Sequence, residues 1–341
     1  MTTVTLYEGD NRDNLRRLID QGVRVHSVVT DPPYGISFMG KHWDGSMIER
    51  DPEFWKLILE ILLPGGYCFA FSGSRTGHWQ ACAMEMADFI MHPMHGWCYG
   101  SGFPKAVSAS KAIDAHCGVE GKKGDTKQWN GWAYGTQAQK PALEPIFLGQ
   151  KPMSEKTGAA NILKHGVGAV NIDGCRVPTD DSLNGGAYSV NSKKIPDNAT
   201  SMFLGVANTS FRQPIGRHPS NLILDGSDDV VALFPEEKDR FFHQFSLDTE
   251  PLIYQSKANK QDRAGSKHPT VKPVALMQYL VRHITPPGGT VLDPFAGSGT
   301  TAEAARREGF DCILMEREPE YIDFLHERFP QETDELTELL A

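Results

Sequence analysis

The chain of 341 residues is long enough to bury one large α/β core with an inserted or appended lobe, or to form two domains. Its 40% hydrophobic and 23% charged residues are typical of a globular protein and exclude a disordered or fibrous chain. The formal net charge of −9 argues against a protein that coats nucleic acid along its whole surface. The charge is uneven, however, because residues 104–265 hold 19 Lys and Arg against 18 Asp and Glu.

Neither membrane insertion nor metal binding is predicted. No apolar stretch has the length of a membrane span, and no basic leader precedes an apolar core, so we expect a cytoplasmic protein with no membrane partner. The six cysteines form no C-x-x-C pair, and the twelve histidines lack metal-ligand spacing, which predicts reduced thiols and no metal site.

The first third of the chain, residues 1–103, alternates short apolar segments with amphipathic ones. Strands are predicted at 3–7, 25–29, 67–71 and 96–99, and helices at 14–19, 53–63 and 77–90. Strands separated by helices indicate a parallel sheet with helices on both faces. The fold class predicted is therefore α/β.

The most informative motif follows the second strand and consists of Asp31, Pro32, Pro33 and Tyr34. The prolines form a stiff turn whose carbonyl oxygens stay available as acceptors. A carboxylate, carbonyls and an aromatic ring at the carboxyl end of a strand suit an exocyclic amino group on a planar base. The alternative is a Pro-Pro turn with a solvated aspartate.

The middle, residues 104–265, is rich in Gly, Asn, Ser, Lys and Pro and has long irregular stretches, for example 117–135 and 180–200. Short strand-like pieces occur at 145–148 and 222–224. Candidate phosphate or guanine contacts in this segment are Lys193, Lys194, Arg212, Arg217, Arg240 and Arg263. The alternative for each is a solvated surface charge.

The last third returns to α/β order. Helices are predicted at 273–284, 300–308 and 320–328, and strands at 290–292 and 312–315. Between strand and helix lies a glycine turn that lets the backbone approach a ligand; it contains Asp293, Phe295, Gly297, Ser298, Gly299 and Thr300. Its G-x-G-x-x-A spacing alone fits either a nicotinamide cofactor or S-adenosyl-L-methionine, and Glu316 could bond a ribose in both cases. The amino-group motif at Asp31 favours S-adenosyl-L-methionine.

Three more residues are candidates for the cofactor site. Thr270 and Lys272, which precede a helix, could hold a carboxylate, although a solvated helix cap is the alternative. Asp10 follows the first strand, where an ordinary Asp turn is the alternative.

Taken together, these motifs resemble the DNA amino-methyltransferases, which methylate adenine N6 or cytosine N4. The amino-group motif precedes a long variable middle and the cofactor motif comes last, an order similar to the β class of bacterial and phage enzymes. That class has a circularly permuted, Rossmann-like methyltransferase sheet. The resemblance implies a catalytic half at 1–103, a target-recognition region at 104–265 and a cofactor-binding half at 266–341.

The resemblance also implies a role for each motif residue. Asp31, Pro32 and Tyr34, with Pro33 in the same turn, would hold the flipped base. Asp10 would bond the cofactor adenine and Glu316 its ribose. The methionine end would be held by Thr270, Lys272 and Asp293, and the rest of the cofactor would lie against Phe295, Gly297, Ser298, Gly299 and Thr300.

The expected reaction is direct in-line methyl transfer to adenine N6 in double-stranded DNA, with base flipping. Asp rather than Ser as the first motif residue favours adenine, with cytosine N4 as the alternative. An RNA or protein-amide methyltransferase and a catalytically silent DNA-binding relative are less favoured. A homodimer and a cognate restriction endonuclease are the further partners that the resemblance raises.

Overall fold

The computed structural model describes residues 2–36, 45–117, 128–179, 181, 183, 215–235, 238–245, 260–266 and 271–330. The strands are β1 Val4–Glu8, β2 Val25–Thr30, β3 Leu62–Phe71, β4 Ile90–Met91, β5 His95–Cys98, β6 Lys105–Ser108, β7 Ala133–Gln137, β8 Leu143–Gln150, β9 Val177–Pro178, β10 Gly216–Arg217, β11 Leu222–Leu224, β12 His243–Gln244, β13 Thr290–Asp293 and β14 Asp311–Glu316. The helices are α1 Asn11–Asp20, α2 Pro52–Ile61, α3 Gly77–Met86, α4 Ala109–His116, α5 Gly158–His165, α6 Asp228–Val231, α7 Lys260–Arg263, α8 Val274–Ile284, α9 Thr300–Glu308 and α10 Pro319–Arg328.

The main sheet contains strands from both the first and the last third of the chain. Its order is β1-β14-β13-β2-β3-β8-β5-β11-β12, with β4 pairing β8 beside this path. Strand β13, from the last third, pairs in parallel with β2, from the first third. The alternation of strands and helices predicted an α/β sheet, and the resemblance implied its permuted, Rossmann-like arrangement; the fold class is confirmed.

The sheet is mixed, because β8, from the middle segment, runs antiparallel to β3, β4 and β5. Cys98, the last residue of β5, pairs with Leu143, the first residue of β8. The chain between these two residues therefore leaves and re-enters the sheet at the same end of its strands, so β8 runs antiparallel to β5. The middle segment thus contributes β8, β11 and β12 to the main sheet, while its role as a target-recognition region stays a prediction.

Alternate strand residues pack on opposite faces of the sheet. Val28 and Leu292 lie in the core formed with α1, α2 and α3. Their neighbours Val29 and Val291 lie in the core formed with α8, α9 and α10. Both faces are covered, as the alternation of strands and helices predicted.

Two local differences from the sequence prediction have simple causes. Strand β3 begins at Leu62, ahead of the predicted residue 67, because Pro64, Gly65 and Gly66 form an irregularity within the strand and not a turn before it. The stretch 117–135 was predicted to be irregular, but strand β7 begins within it and pairs antiparallel with β6. Its residues are mostly exposed on both sides, so no apolar alternation marked it as a strand.

Candidate active site

The tips of β2 and β13 lie side by side. Leu292 pairs with Val28, and the Thr30 hydroxyl donates to Asp293 Oδ1 at 2.7 Å. The turn that begins at Asp31 therefore starts next to the glycine turn that follows β13. The resemblance assigns these two segments, which are far apart in the chain, to one active site, and they meet in the structure.

A cavity of about 1080 Å³ opens at this edge of the sheet. It is lined by most of the predicted site residues: Asp10, Asp31, Pro32, Pro33, Tyr34, Lys272, Asp293, Phe295, Gly297, Ser298, Thr300 and Glu316. We call this cavity the cleft. Its position, at the carboxyl ends of parallel strands, is where open α/β sheets bind ligands.

One end of the cleft holds the amino-group motif. The Tyr34 hydroxyl donates to Asp31 Oδ1 at 2.8 Å, and Thr76 Oγ1 donates to the Tyr34 carbonyl at 2.7 Å. These bonds fix both the carboxylate and the ring of the turn. The Pro32 carbonyl accepts no hydrogen bond from the described residues, so it is available as an acceptor, as predicted.

Lys272 lies at this same end. Its ammonium donates to Asp31 Oδ2 and, at 3.2 Å, to the Tyr34 hydroxyl oxygen. Burial lowers the pKa of Lys272, and the adjacent Asp31 carboxylate opposes that shift. Its assignment to the methionine end stays a prediction, but its contacts are with the base end. Thr270, its predicted partner, lies outside the described residues.

Asp293 connects the two halves of the site. Its carboxylate accepts from Thr30, from Thr301 Oγ1 at 2.5 Å and from the Phe295 N–H at 3.1 Å. Burial raises its pKa to about 6, while these three hydrogen bonds lower it. With both oxygens engaged inside the protein, Asp293 positions the strand tips, and its direct contact with a cofactor remains a prediction.

Glu316, at the end of β14, organises the glycine turn. Its carboxylate accepts from the backbone N–H groups of Gly297 at 2.8 Å, Arg317 at 2.8 Å and Glu318 at 2.9 Å. Burial raises the pKa of Glu316, and these bonds oppose the shift. A carboxylate offers about four acceptor positions, so one remains for a ligand hydroxyl.

The two glycines of the turn face different ways. Gly297, with φ of 52°, lines the cleft. Gly299, with φ of 74°, points toward α10, and a Cβ there would lie 2.6 Å from Leu325 Cδ2 and 2.8 Å from Phe329 Cε2. Gly299 is not a lining residue, so it can serve the site only by permitting the turn.

The remaining predicted residues lie at the cofactor end. Asp10 is exposed and caps α1 by accepting from the Arg12 N–H at 2.9 Å. Phe295 packs against Phe54, with ring centroids 5.4 Å apart. The Ser298 and Thr300 hydroxyls are 3.0 Å apart at the start of α9.

Sequence reasoning missed two parts of the cleft. Glu144, 4% exposed, reaches it from β8 and lies 3.7 Å from the Lys272 ammonium. The β6–β7 hairpin brings Lys105 to the cleft, Lys140 lines the cleft just after β7, and Arg75 donates to Thr136 of β7 at 2.7 Å. No spacing pattern links these residues to the motifs.

The candidate base-reading residues fall into three groups according to their location. Arg263 lines the cleft. Arg217 and Arg240 both pair with Asp181 and lie over the Phe241 ring, at 4.3 and 5.3 Å. Lys193, Lys194 and Arg212 lie outside the described residues. A reading role for any of them stays a prediction.

The described residues show neither a metal site nor a membrane-spanning helix. They contain no group of three or more His, Cys, Asp or Glu side chains arranged to hold a metal ion. Within those same ranges no helix combines the length and apolarity needed to cross a membrane.

Comparison with known proteins identifies the relatives of the chain. A family model described as DNA methylase, for N6 and N4 methylation, matches residues 25–327. The Type II methyltransferase M.HindIII of Haemophilus influenzae is 24% identical over 346 residues, which cover 88% of this chain and 87% of that protein.

Among solved structures, the PvuII DNA methyltransferase (cytosine-N4-specific) aligns with a TM-score of 0.51 and 17% identity, over 96% of this chain and 87% of its own. That likeness supports the fold assignment. The complex of M1.HpyAVI with SAM aligns with a TM-score of 0.48 and 18% identity, over 95% of this chain and 98% of its own.

Proposed function

Because the chain belongs to the N6/N4 DNA methylase family, we propose that it transfers a methyl group from S-adenosyl-L-methionine to adenine N6 at a specific site in duplex DNA. The observation that carries the proposal is the shared cleft, in which the Asp31 turn faces the glycine turn at Gly297. Methyl transfer to an amino group needs acceptors for that group and a backbone turn that binds the cofactor. Both features line one cavity.

The cofactor end fits S-adenosyl-L-methionine. The Glu316 carboxylate keeps an acceptor position for a ribose hydroxyl, and the exposed Asp10 carboxylate can accept from an adenine amino group. Phe295 offers an apolar surface, and the N-terminus of α9 offers a positive dipole end to a carboxylate. When bound, this cofactor supplies a methyl group that its sulfonium centre has already activated.

The base end fits an exocyclic amino group. Its nitrogen is a poor nucleophile because the lone pair is delocalised into the ring. The Asp31 carboxylate and the Pro32 carbonyl can accept its two hydrogens, which favours tetrahedral geometry and localises the lone pair. The structure holds Asp31 in place through Tyr34, so the carboxylate is positioned before the base arrives.

DNA approaches, we propose, along the wall formed by the β6–β7 hairpin. Lys105, Lys140, Arg75 and Arg263 bring positive charge to the cleft mouth, where phosphates can bind. A base stacked in a duplex cannot reach Asp31, so it must flip out, which costs a few kcal/mol. Stacking on Tyr34 offsets roughly 1–3 kcal/mol of that cost.

Adenine is proposed over cytosine because the first motif residue is Asp31, which resembles the adenine-specific members. Cytosine N4 is the alternative within the same family. A cognate restriction endonuclease, a homodimer and a cytoplasmic location in a bacterial cell complete the proposal.

The test is transfer of radiolabelled methyl groups to duplex DNA, RNA and protein, followed by mapping of modified bases in DNA from expressing cells. We expect label in duplex DNA and N6-methyladenine at one recurring sequence. N4-methylcytosine would replace the adenine assignment and leave the rest intact. Label only in RNA or protein, or no label at all, would refute the proposal.

A further inference from the structure

Lys272 sits where it obstructs the proposed reaction. Its ammonium donates to Asp31 Oδ2, while the Tyr34 hydroxyl already occupies Asp31 Oδ1. A carboxylate paired with an ammonium is a weaker acceptor for a third donor, since its charge is partly neutralised. The target amino group therefore binds Asp31 more strongly when Lys272 loosens its hold on that carboxylate.

A buried ammonium cannot simply lose its partner. The Lys272 side chain is 5% exposed, and an unpaired charge at that depth is costly. The Lys272 ammonium lies 4.7 Å from the Phe71 ring centroid and 5.5 Å from the Tyr34 ring centroid. The faces of these two rings stabilise the cation through cation–π interactions, but they carry no negative charge that could replace the Asp31 carboxylate. It needs a second anion within reach.

Glu144 is that anion. Its Oε2 lies 3.7 Å from the Lys272 ammonium and 3.4 Å from the Tyr34 hydroxyl, and its side chain is 6% exposed. The distance of 3.7 Å is within ion-pair range but long for a hydrogen bond, so a shift of less than about 1 Å would form one. The antiparallel course of β8 places Glu144 here, next to the tip of β5.

We infer that Lys272 and Glu144 are positioning residues for target-base capture, with Lys272 covering Asp31 in the free enzyme and moving to Glu144 when the amino group enters. This inference rests on the proposed function and concerns the same cleft. Two carboxylates share one cation, so the cation can change partners while it remains paired. The charge of the site is conserved during the exchange, and no proton needs to move.

The test compares steady-state kinetics of E144Q with those of the unaltered enzyme on a duplex carrying the mapped site. Without the second anion Lys272 stays on Asp31, so we expect KM for DNA to rise at least about tenfold. Affinity for S-adenosyl-L-methionine, measured by calorimetry, should stay the same. E303Q is the matched control: Glu303 is another buried carboxylate beside cations (Arg306 and Arg307), and it does not line the cleft.

A second substitution separates this role from a structural one. In E144Q/K272M the obstructing cation is gone, so KM for DNA should fall back toward the wild-type value. A merely structural role of Glu144 would make the double variant worse than E144Q. If E144Q does not fold, E144D keeps the charge with a shorter reach, and its KM should rise while cofactor affinity is unchanged.

The inference is overturned if E144Q, or E144D in its place, keeps the wild-type KM, if cofactor affinity falls in parallel, or if the double variant shows no recovery. Absence of methyl transfer by the unaltered protein would be a different failure. It would refute the proposed function itself, and this inference with it.

Discussion

At the scale of single residues, the site is held together by buried carboxylates that have several partners each. Asp293 accepts from two hydroxyls and one N–H, and Glu316 accepts from three N–H groups. Burying a carboxylate is costly unless such bonds replace water. Asp293 and Glu316 therefore shape the cleft, whereas Asp31 presents its carboxylate to it.

Asp31→Ala should abolish turnover and leave cofactor binding intact. The substitution removes the main acceptor for the amino group, so kcat should fall at least about 100-fold. The cofactor end is formed by other residues, so calorimetry should give the wild-type affinity for S-adenosyl-L-methionine. Full activity of the variant would contradict the role assigned to Asp31.

At the scale of elements, the turn between β13 and α9 depends on packing against α10. Gly299 caps the start of α9 and Gly309 its end, both with positive φ, but only Gly299 faces close neighbours. An alanine at Gly309 would only be strained by its positive φ. An alanine at Gly299 would have the same backbone strain, and its Cβ would also clash with Leu325 and Phe329.

Gly309→Ala should therefore cost about 1 kcal/mol of unfolding free energy, and Gly299→Ala at least about 2 kcal/mol. Chemical denaturation of both variants measures the difference. The Gly299 variant should also lose affinity for S-adenosyl-L-methionine, because the turn must shift away from α10. Equal costs at the two positions would show that contact with α10 does not constrain the turn.

The β6–β7 hairpin carries a prediction about DNA affinity. Lys105 and Lys140 are exposed at the cleft wall, so Lys105→Ala and Lys140→Ala should each weaken DNA binding. Each should reduce the salt dependence of log K by about one unit, as expected for one lost phosphate contact. Lys56→Ala, on the exposed side of α2 and away from the cleft, is the matched control, and salt titrations of DNA binding by anisotropy make the measurement.

At the scale of the whole molecule, buried histidines couple folding to pH. His95 and His283 pack against each other and against Phe69, and burial lowers the pKa of each histidine to about 4. As pH falls through 6.5, the unfolded chain takes up protons that the folded protein does not bind until about pH 4. Stability therefore decreases between pH 6.5 and 4.

Asp293 acts in the opposite direction, because its pKa of about 6 lies above the ordinary value of 3.8. Between pH 6 and 3.8 the folded protein binds this proton first, which stabilises it as pH falls. Two histidines outweigh one aspartate, so the summed effect of these three groups is destabilising in acid.

His283→Leu should flatten this dependence. It removes one of the two buried sites, so the loss of unfolding free energy between pH 7 and pH 5 should shrink by about 2 kcal/mol. Denaturant titrations at the two pH values measure it. His78→Leu, at an exposed position, should keep the wild-type dependence; an equal change in both variants would point to something other than burial.

Much of the fold was predictable because strands and helices of the first and last thirds have clear periods. The strand at 25–29 and the helix at 300–308 appear almost unchanged as β2 and α9. The pairing of β6 with β7 was not predictable, since exposed strands show no apolar alternation. The direction of β8 was not predictable either, because it depends on where the intervening chain leaves and re-enters the sheet.

The amino-acid sequence by itself determined the chemistry at two strand ends: an acceptor set around Asp31 and a glycine turn around Gly297, each set by residue types within a few positions. Only the tertiary structure decided which further side chains meet them. It placed Lys272, 241 positions beyond Asp31 in the chain, on the Asp31 carboxylate, and it placed Glu144, 113 positions beyond Asp31, at 3.7 Å from the Lys272 ammonium. Local sequence encodes backbone preference and burial, whereas contact between distant side chains follows from strand order and direction, which no local pattern specifies.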